Sequence, residues 1–214
     1  MKTEIITCGT ANAYLIRGED RSILFDTGTR KYRDKVLAHC KDAKVNLIVL
    51  SHGHFDHCHN ASYIARELGC SIGITKEDAE LLENGRRRKV YGKGIWGKFY
   101  AWASNQNIGR NEIEQTKVDV LIENGMSLSQ YGINGKVIAL PGHTRGSVGI
   151  FLSSGEMFVG DAMQNIISPS ETWCFENAEQ ARETVARIQS LNPKVIYYGH
   201  GKPTFFREGL LKNN

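Results

Sequence analysis

Three histidines and an aspartate fall within six residues, directly after an apolar run. The run Val45–Leu50 is rich in β-branched residues and indicates a buried strand. His52 and His54 follow it two positions apart, and Asp56 and His57 come next. Because alternate residues of an extended backbone point to the same side, the first two imidazoles can share one hollow. The spacing predicts a loop that binds metal through nitrogen and oxygen atoms.

Three more side chains of the same chemistry follow later apolar strands. His143 and His200 each have glycine neighbours, which let the backbone approach a site closely. Asp161 comes directly after the run Phe158–Gly160. A single histidine after a strand is more often structural, but together with the first loop these residues predict one metal centre built from several strand ends.

The strands that position these loops are short and are separated by turns that contain glycine. Their apolar periodicity predicts nine of them. The predicted strands are Glu4–Thr7, Ala13–Arg17, Ser22–Asp26, Val45–Leu50, Ser71–Ile74, Lys136–Leu140, Ser147–Leu152, Met157–Val159 and Lys194–Tyr198.

Helices are indicated between the strands by polar capping residues and one-sided apolar stripes. Asn60 can cap the first, Thr75 and Asp78 form a capping-box pattern at the second, and Asn177 can cap the third. This order of elements predicts two packed sheets with helices outside them. The predicted helices are Asn60–Leu68, a short one after Thr75 that ends at Gly85, and Asn177–Leu191.

Composition limits the class of protein. The 214 residues, 41% of them hydrophobic, suffice for one compact domain over 1–214. No uncharged run approaches the ~18–20 residues of a membrane helix, and charges from Arg17 onward interrupt any signal-peptide core. The five cysteines form no CxxC pair, which argues for a reducing compartment and against a thiolate zinc site. We therefore expect a cytoplasmic protein that makes no use of a membrane.

The net charge of +4 comes from one segment. Residues 86–111 hold seven of the 27 basic side chains and none of the 23 acidic ones, so the rest of the chain has a net charge of −3. A footprint this short makes nucleic acid an unlikely partner, because affinity for it accumulates phosphate by phosphate. The seven basic residues are Arg86, Arg87, Arg88, Lys89, Lys93, Lys98 and Arg110.

The same segment is rich in aromatic residues, which leaves two interpretations. It can be an insertion over the metals in which aromatic rings and cations, the three consecutive arginines among them, hold an anionic small-molecule substrate. It can also be an amphipathic helix with its rings in the core and its charges in solvent. The rings belong to Tyr91, Trp96, Phe99, Tyr100 and Trp102.

Taken together, the motifs resemble the metallo-β-lactamase-fold superfamily. Its pattern is an aspartate after an early strand, HxHxDH, a histidine, an aspartate and a final histidine. The resemblance implies an α/β fold, a four-layer αββα sandwich, with the site at one edge between the sheets. The matching residues are Asp26, the motif from His52 to His57, His143, Asp161 and His200.

The resemblance also implies a role for each of these residues. One metal ion would be held by His52, His54 and His143, and a second by Asp56, His57 and His200. Asp161 would bridge the two ions, and Asp26 would brace the histidine loop by hydrogen bonds. Two zinc ions are favoured by such nitrogen and oxygen ligands, although iron or manganese suits them as well.

The implied reaction is hydrolysis by a water that two metal ions share and activate, with Asp56 as the catalytic residue that orients it and passes on a proton. The motif spelling around His54 and His143 is most similar to the glyoxalase II and lactonase branch, which implies a zinc-dependent hydrolase of a small ester or thioester. A phosphodiesterase or nuclease that uses the same metals is the first alternative. A mono-iron dioxygenase that uses mainly His52, His54 and His143 is the second.

Overall fold

A computed structural model of the chain describes residues 1–86, 88–106 and 113–207. Most of its strands lie in two sheets, and the nine predicted strands are all found, with ends that differ by at most two residues. The strands in chain order are β1 (Lys2–Cys8), β2 (Ala11–Arg17), β3 (Ser22–Phe25), β4 (Val45–Val49), β5 (Ser71–Ile74), β6 (Tyr91–Gly92), β7 (Val120–Leu121), β8 (Gly135–Ala139), β9 (Val148–Leu152), β10 (Glu156–Phe158), β11 (Met163–Gln164), β12 (Ser170–Glu171), β13 (Cys174–Phe175), β14 (Val195–Tyr197) and β15 (Thr204–Phe205).

The helices flank these sheets, and the three expected from the sequence are present. Among the described residues, no helix is long and apolar enough to cross a bilayer. The helices are α1 (Arg33–Cys40), α2 (Phe55–Cys58), α3 (Ala61–Leu68), α4 (Lys76–Glu83), α5 (Gly94–Gln106) and α6 (Ala178–Ser190).

The first sheet has the strand order β1-β2-β3-β4-β5-β7. It begins as an antiparallel meander and continues in parallel from β3 onward. A strand inside a parallel sheet is covered on both faces, which explains why four of the five residues of β4 are apolar and buried. Phe25 pairs with Val49, so the chain leaves β3 at Asp26 and β4 at Leu50 along one edge.

The second sheet has the order β15-β14-β10-β9-β8. Its strands β10 and β14 are parallel neighbours, and Phe158 pairs with Tyr197. Asp161 and His200 each follow three residues after one member of this pair. The parallel register therefore brings two of the expected ligands to the same end of the sheet.

The two sheets pack face to face through an apolar layer. Tyr14 and Phe25 of the first sheet contact Phe158 of the second, with ring centroids 5.3 and 5.9 Å apart. Aromatic pairs in this geometry add to the burial of their own area. Separate apolar clusters include residues of α1 and α3 on the first sheet and of α6 on the second. The predicted αββα sandwich is confirmed.

Two of the predicted helix caps are wrong. Asn177 does cap α6 by accepting from the backbone N–H of Gln180 at 3.1 Å. The side-chain amide of Asn60 instead donates to the carbonyls of Thr27 and Thr29, at 2.7 and 2.8 Å. It ties α3 to the loop after β3, because a buried amide is satisfied wherever carbonyl oxygens converge.

The capping box at α4 is absent as well. Thr75 precedes the helix, but its hydroxyl donates to the carbonyl of Gly146 at 2.8 Å rather than capping the helix. Asp78 is fully buried and turns away from the helix start toward two loops of the site, which it contacts at Gly53 and Thr144.

Candidate metal centre

Seven side chains meet at the edge where strands of both sheets end. Their potential ligand atoms form three overlapping sets of three, each within 4.8 Å. Two of these sets share no residue and are called the two groups, and the third links them because it consists of His52, His57 and Asp161. The three-histidine group contains His52, His54 and His143, and the mixed group contains Asp56, His57 and His200.

Three ring nitrogens converge in the three-histidine group. His54 Nδ1 lies 3.0 Å from His52 Nε2 and 2.9 Å from His143 Nε2. The rings of His52 and His54 stand at 85° to each other, so their nitrogens point to a common centre rather than stacking. Three converging imidazole lone pairs are a typical transition-metal donor set.

The mixed group lies beside it, and a carboxylate joins the two. Asp56 Oδ2 lies 3.7 Å from His57 Nε2 and 3.4 Å from His200 Nε2. Asp161 lies 3.3 Å from His57, 3.2 Å from His200 and 3.5 Å from His143. Asp161 thus lies close to members of both groups.

Three of the candidate histidines have their Nδ1 atom hydrogen bonded to a partner outside the two groups. Such partners fix the ring orientation and leave Nε2 free to bind a cation. The contacts are His57 Nδ1 to Asp26 Oδ2 at 2.9 Å, His143 Nδ1 to the carbonyl of Cys174 at 2.7 Å and His200 Nδ1 to the carbonyl of Thr10 at 2.8 Å.

Asp26 supports both groups through hydrogen bonds. Its backbone has a φ of 62°, in the left-handed region. Its carboxylate accepts from the backbone N–H and the hydroxyl of Ser51, at 2.7 and 2.8 Å, as well as from His57. Since the Ser51 hydroxyl donates to Asp26, it accepts from His52 Nδ1 at 2.8 Å. One buried carboxylate therefore orients a histidine in each group.

The two groups differ in charge. Burial and the neighbouring imidazoles lower the pKa of His54 to about 3, and burial likewise lowers the pKa of His52. Burial also opposes the charging of His57 and His200, but the surrounding carboxylates, Asp161 and Asp56 foremost, together outweigh it and raise the pKa of His200 to about 10 and that of His57 well above its usual range. Without a cation, His57 and His200 form buried ion pairs with Asp56 and Asp161, whereas burial opposes any charge on His52 and His54.

The donor set fits metal cations. His57 Nε2 and Asp161 Oδ1 lie 3.3 Å apart, and both are buried without a hydrogen-bond partner among the described residues. Unsatisfied buried polar atoms are rare and costly in folded proteins. Nitrogen and oxygen atoms that converge in this way would be satisfied by divalent ions such as zinc or iron.

The backbone at Gly199 passes against two of these ligands. A Cβ at this position would overlap Asp161 Oδ1 and would lie 2.9 Å from His57 Cε1. The glycine before His200 is thus required by space rather than by backbone conformation.

A cavity of about 530 Å³ opens over the two groups. The polar ligands form part of its surface, and the remaining wall is largely apolar. Tyr100 of α5 and Trp173 contribute aromatic rings whose centroids lie 6.0 Å apart. The apolar wall includes Leu81, Val90, Tyr100, Ile113, Ile166 and Trp173.

The basic segment contributes little free charge to this cavity. Arg88 forms ion pairs with Asp78 and Glu176, and only 14% of its side chain is exposed. Arg86 lies at the cavity but pairs with Glu80 at 3.3 Å. Arg88 also lines the cavity, but its charge is already paired within the fold, so the expectation that three consecutive arginines hold an anionic substrate finds no free cation at Arg88. Arg87 and Arg110 lie outside the described residues.

The aromatic residues of the segment are not in the core. Trp96, Phe99 and Trp102 on α5 are 63%, 53% and 59% exposed, so the interpretation of a helix with buried rings is wrong. The helix packs on the body through its small residues Gly97 and Ala101 instead.

Cys58 lies next to the histidine motif without joining either group. Its thiol donates to the carbonyl of His54 at 3.0 Å, and burial raises its pKa well above the usual range. Sequence reasoning missed Ser51, Asp78 and Trp173, whose contacts connect distant parts of the chain. The capping-box pattern pointed to Asp78 but to the wrong role for it.

Comparison with known proteins identifies the family. A model of the metallo-beta-lactamase superfamily matches residues 6–200, which include every candidate ligand. The chain belongs to the metallo-β-lactamase superfamily. This is a superfamily of metallo-hydrolases, and the two groups at the edge of this sandwich are its candidate metal-binding residues.

Individual similar proteins agree with this assignment. The chain is 24% identical over 202 residues to the beta-lactamase-like protein 2 homolog of Drosophila melanogaster. The aligned region covers 92% of this chain but only 60% of the Drosophila protein. It is 28% identical over 203 residues to a probable metallo-hydrolase of Methanocaldococcus jannaschii, with 90% and 88% covered. A crystal structure of TTHA1623 in a di-iron-bound form has a similar fold, with a TM-score of 0.70, 22% identity, and 96% and 94% of the two chains covered.

Proposed function

We propose that this protein is a dinuclear metal-dependent hydrolase that cleaves a small ester or thioester. The observation that carries the proposal is the position of Asp161, within 3.5 Å of His143 and 3.2 Å of His200. A carboxylate that contacts both groups suits two adjacent ions rather than one. When bound, two divalent ions supply an activated water and polarise the oxygen of the bond to be cleaved.

The side chains around the ions perform the remaining tasks. Asp56 is partly exposed to the cavity, with 21% of its side chain accessible, whereas His57 is fully buried. The Asp56 carboxylate can therefore accept a hydrogen bond from the attacking water and pass the proton toward the leaving group. His57 pulls the pKa of Asp56 down against the effect of burial, so Asp56 is ionised and able to accept that bond at neutral pH.

The walls of the cavity favour an acyl substrate. Tyr100, Trp173 and Leu81 offer apolar surface next to the polar ligands. An apolar pocket with a few convergent polar groups is typical of small-molecule sites. Since Arg88 is paired within the fold, the described part of the basic segment offers no long track of free cations for a polyanion.

A phosphodiesterase remains the second candidate because Arg86 lies at the cavity and is 71% exposed. Its guanidinium could turn from Glu80 to a phosphate, since exposed ion pairs are weak. This candidate requires that Arg86→Gln lower the kcat/KM for a phosphodiester more than that for a thioester.

The test is a comparison of kcat/KM for acyl thioesters, lactones, bis-phosphodiester probes and short RNA at one salt concentration. We expect the esters or thioesters to be preferred, and a preference for phosphodiesters would contradict the proposal. Asp161→Asn should abolish both hydrolysis and the binding of the ion in the mixed group. The matched control Cys58→Ser, which changes a buried neighbour of the motif, should retain most of the activity.

Metal identity is measured on the same preparation. We propose zinc, and the di-iron form of the similarly folded TTHA1623 makes iron the competing assignment. Elemental analysis of protein purified without chelator should give about two ions per chain. A single iron ion per chain, bound in the three-histidine group, would favour the dioxygenase alternative.

The five free, largely buried cysteines support a reducing compartment, and we propose the cytoplasm.

A further inference from the structure

Asp78 is a fully buried carboxylate next to the metal centre, and it belongs to neither group of candidate ligands. It lies in the first turn of α4. A buried carboxylate is costly unless it is paired and hydrogen bonded, so its contacts show what it holds in place.

Those contacts join the two loops that carry the three-histidine group. Asp78 Oδ2 accepts from the backbone N–H of Gly53 at 3.1 Å and from the hydroxyl of Thr144 at 2.7 Å. Asp78 Oδ1 accepts from the backbone N–H of Gly146 at 3.2 Å. Gly53 separates His52 from His54, and Thr144 directly follows His143.

Arg88 completes the arrangement from the other side. Its guanidinium pairs with Asp78 and also with Glu176 at 2.7 Å. The backbone N–H of Glu176 donates in turn to the carbonyl of His143 at 3.0 Å. The loop of His143 is thus held at two points by one chain of charged groups.

We propose that Asp78 is the positioning residue of the three-histidine group, and that it sets the metal affinity of this group but not that of the mixed group. The proposal rests on the two-ion centre of the proposed function but does not depend on the substrate. In the part of the chain that the structure describes, no hydrogen bond or ion pair of Asp78 reaches Asp56 or His200, whereas Asp26 supports both groups. Two buried carboxylates therefore divide the support of the centre unequally.

The experiment measures metal affinity in two backgrounds that each retain one group. His200→Ala impairs the mixed group, and His54→Ala impairs the three-histidine group. Asp78→Asn is added to each, and Zn²⁺ affinity is measured by competition with a chromogenic chelator. Outer partners of metal ligands typically contribute about 10- to 100-fold to affinity. We expect a loss of this size in the His200→Ala background and less than about threefold in the His54→Ala background.

Glu77→Gln is the matched control, because it removes an exposed carboxylate from the preceding position of the same helix. It should change affinity in neither background. An equal loss from Asp78→Asn in both backgrounds would identify a general structural role and overturn the proposal, and so would no loss in either.

A gentler variant covers the case in which Asp78→Asn fails to fold. Thr144→Val removes one hydrogen bond to Asp78 and keeps the shape of the side chain, whereas Thr144→Ser retains the hydroxyl. We expect Thr144→Val to weaken Zn²⁺ binding only in the His200→Ala background, with Thr144→Ser restoring it. A loss that Thr144→Ser does not restore contradicts the proposal. Since metal affinity is measured without substrate, a wrong substrate assignment leaves this result unchanged.

Discussion

Removing the guanidinium of Arg88 should destabilise the fold far more than removing that of Arg86, two positions earlier. The Arg88 side chain is 14% exposed, and it compensates Asp78, which is fully buried. Breaking a buried ion pair by removing one partner costs about 3–5 kcal/mol, because the other charge stays buried without compensation. Arg86 is 71% exposed, and its pair with Glu80 should contribute about 0–1 kcal/mol.

The comparison uses Arg88→Met and Arg86→Met, which keep much of the apolar length of the side chain. Both are unfolded in urea and by heat in the presence of a chelator, so that loss of metal does not contribute. For a chain of this size, the Arg88 variant should melt roughly 6–20 °C below the wild type. Adding Asp78→Asn to Arg88→Met should recover part of the loss. If the two single variants differ by less than about 1 kcal/mol, the ion pair is not the buried support inferred here.

Gly199→Ala should abolish binding of the second ion without altering any candidate ligand, because its methyl group would overlap the Asp161 carboxylate; normal stoichiometry by elemental analysis would contradict this. Metal affinity of the mixed group should rise steeply between pH 6 and about 10, because His57 and His200 must lose protons to bind an ion. The pKa of His200 is raised to about 10, and that of His57 is raised well above its usual range. Because the pKa values of His52 and His54 are lowered, the metal affinity of the three-histidine group should change less over that range, and equal slopes in chelator competition would refute the assignment. Burial raises the pKa of Cys40 from 9.0 to about 12, so the native thiol should resist iodoacetamide at pH 8 and react only after unfolding. For the same reason stability should fall above pH 9, where the unfolded thiol ionises but the folded one keeps its proton.

The sequence predicts the parts of the centre that depend on local pattern. An apolar run followed by polar residues indicates both a strand and the edge at which it ends, so the loops after β4, β10 and β14 were located correctly. The spacing of His52 and His54 follows from the alternation of an extended chain. The strand β4 is apolar without alternation apart from Asn46, as expected of a strand in the middle of its sheet.

The supporting contacts could not be predicted, because they join residues far apart in the chain. Asn60 and Asp78 are good capping residues by type, yet each is buried against a loop that offers better partners than the helix start. Arg88 looks like one member of a solvated basic run until the fold places two carboxylates beside it. Local propensity is a weak guide when tertiary contacts compete with it.

Each candidate metal group takes two side chains from the loop and the short helix α2 that follow β4, and one from the edge of the second sheet. An ion bound in one group or the other would join chain positions that are roughly 90 or roughly 140 residues apart, and so act as a reversible cross-link between the two halves of the sandwich. Whatever binds only the folded state also lowers the population of opened molecules that a protease can cleave. The lifetime of this protein under proteolysis would then report the concentration of free metal around it.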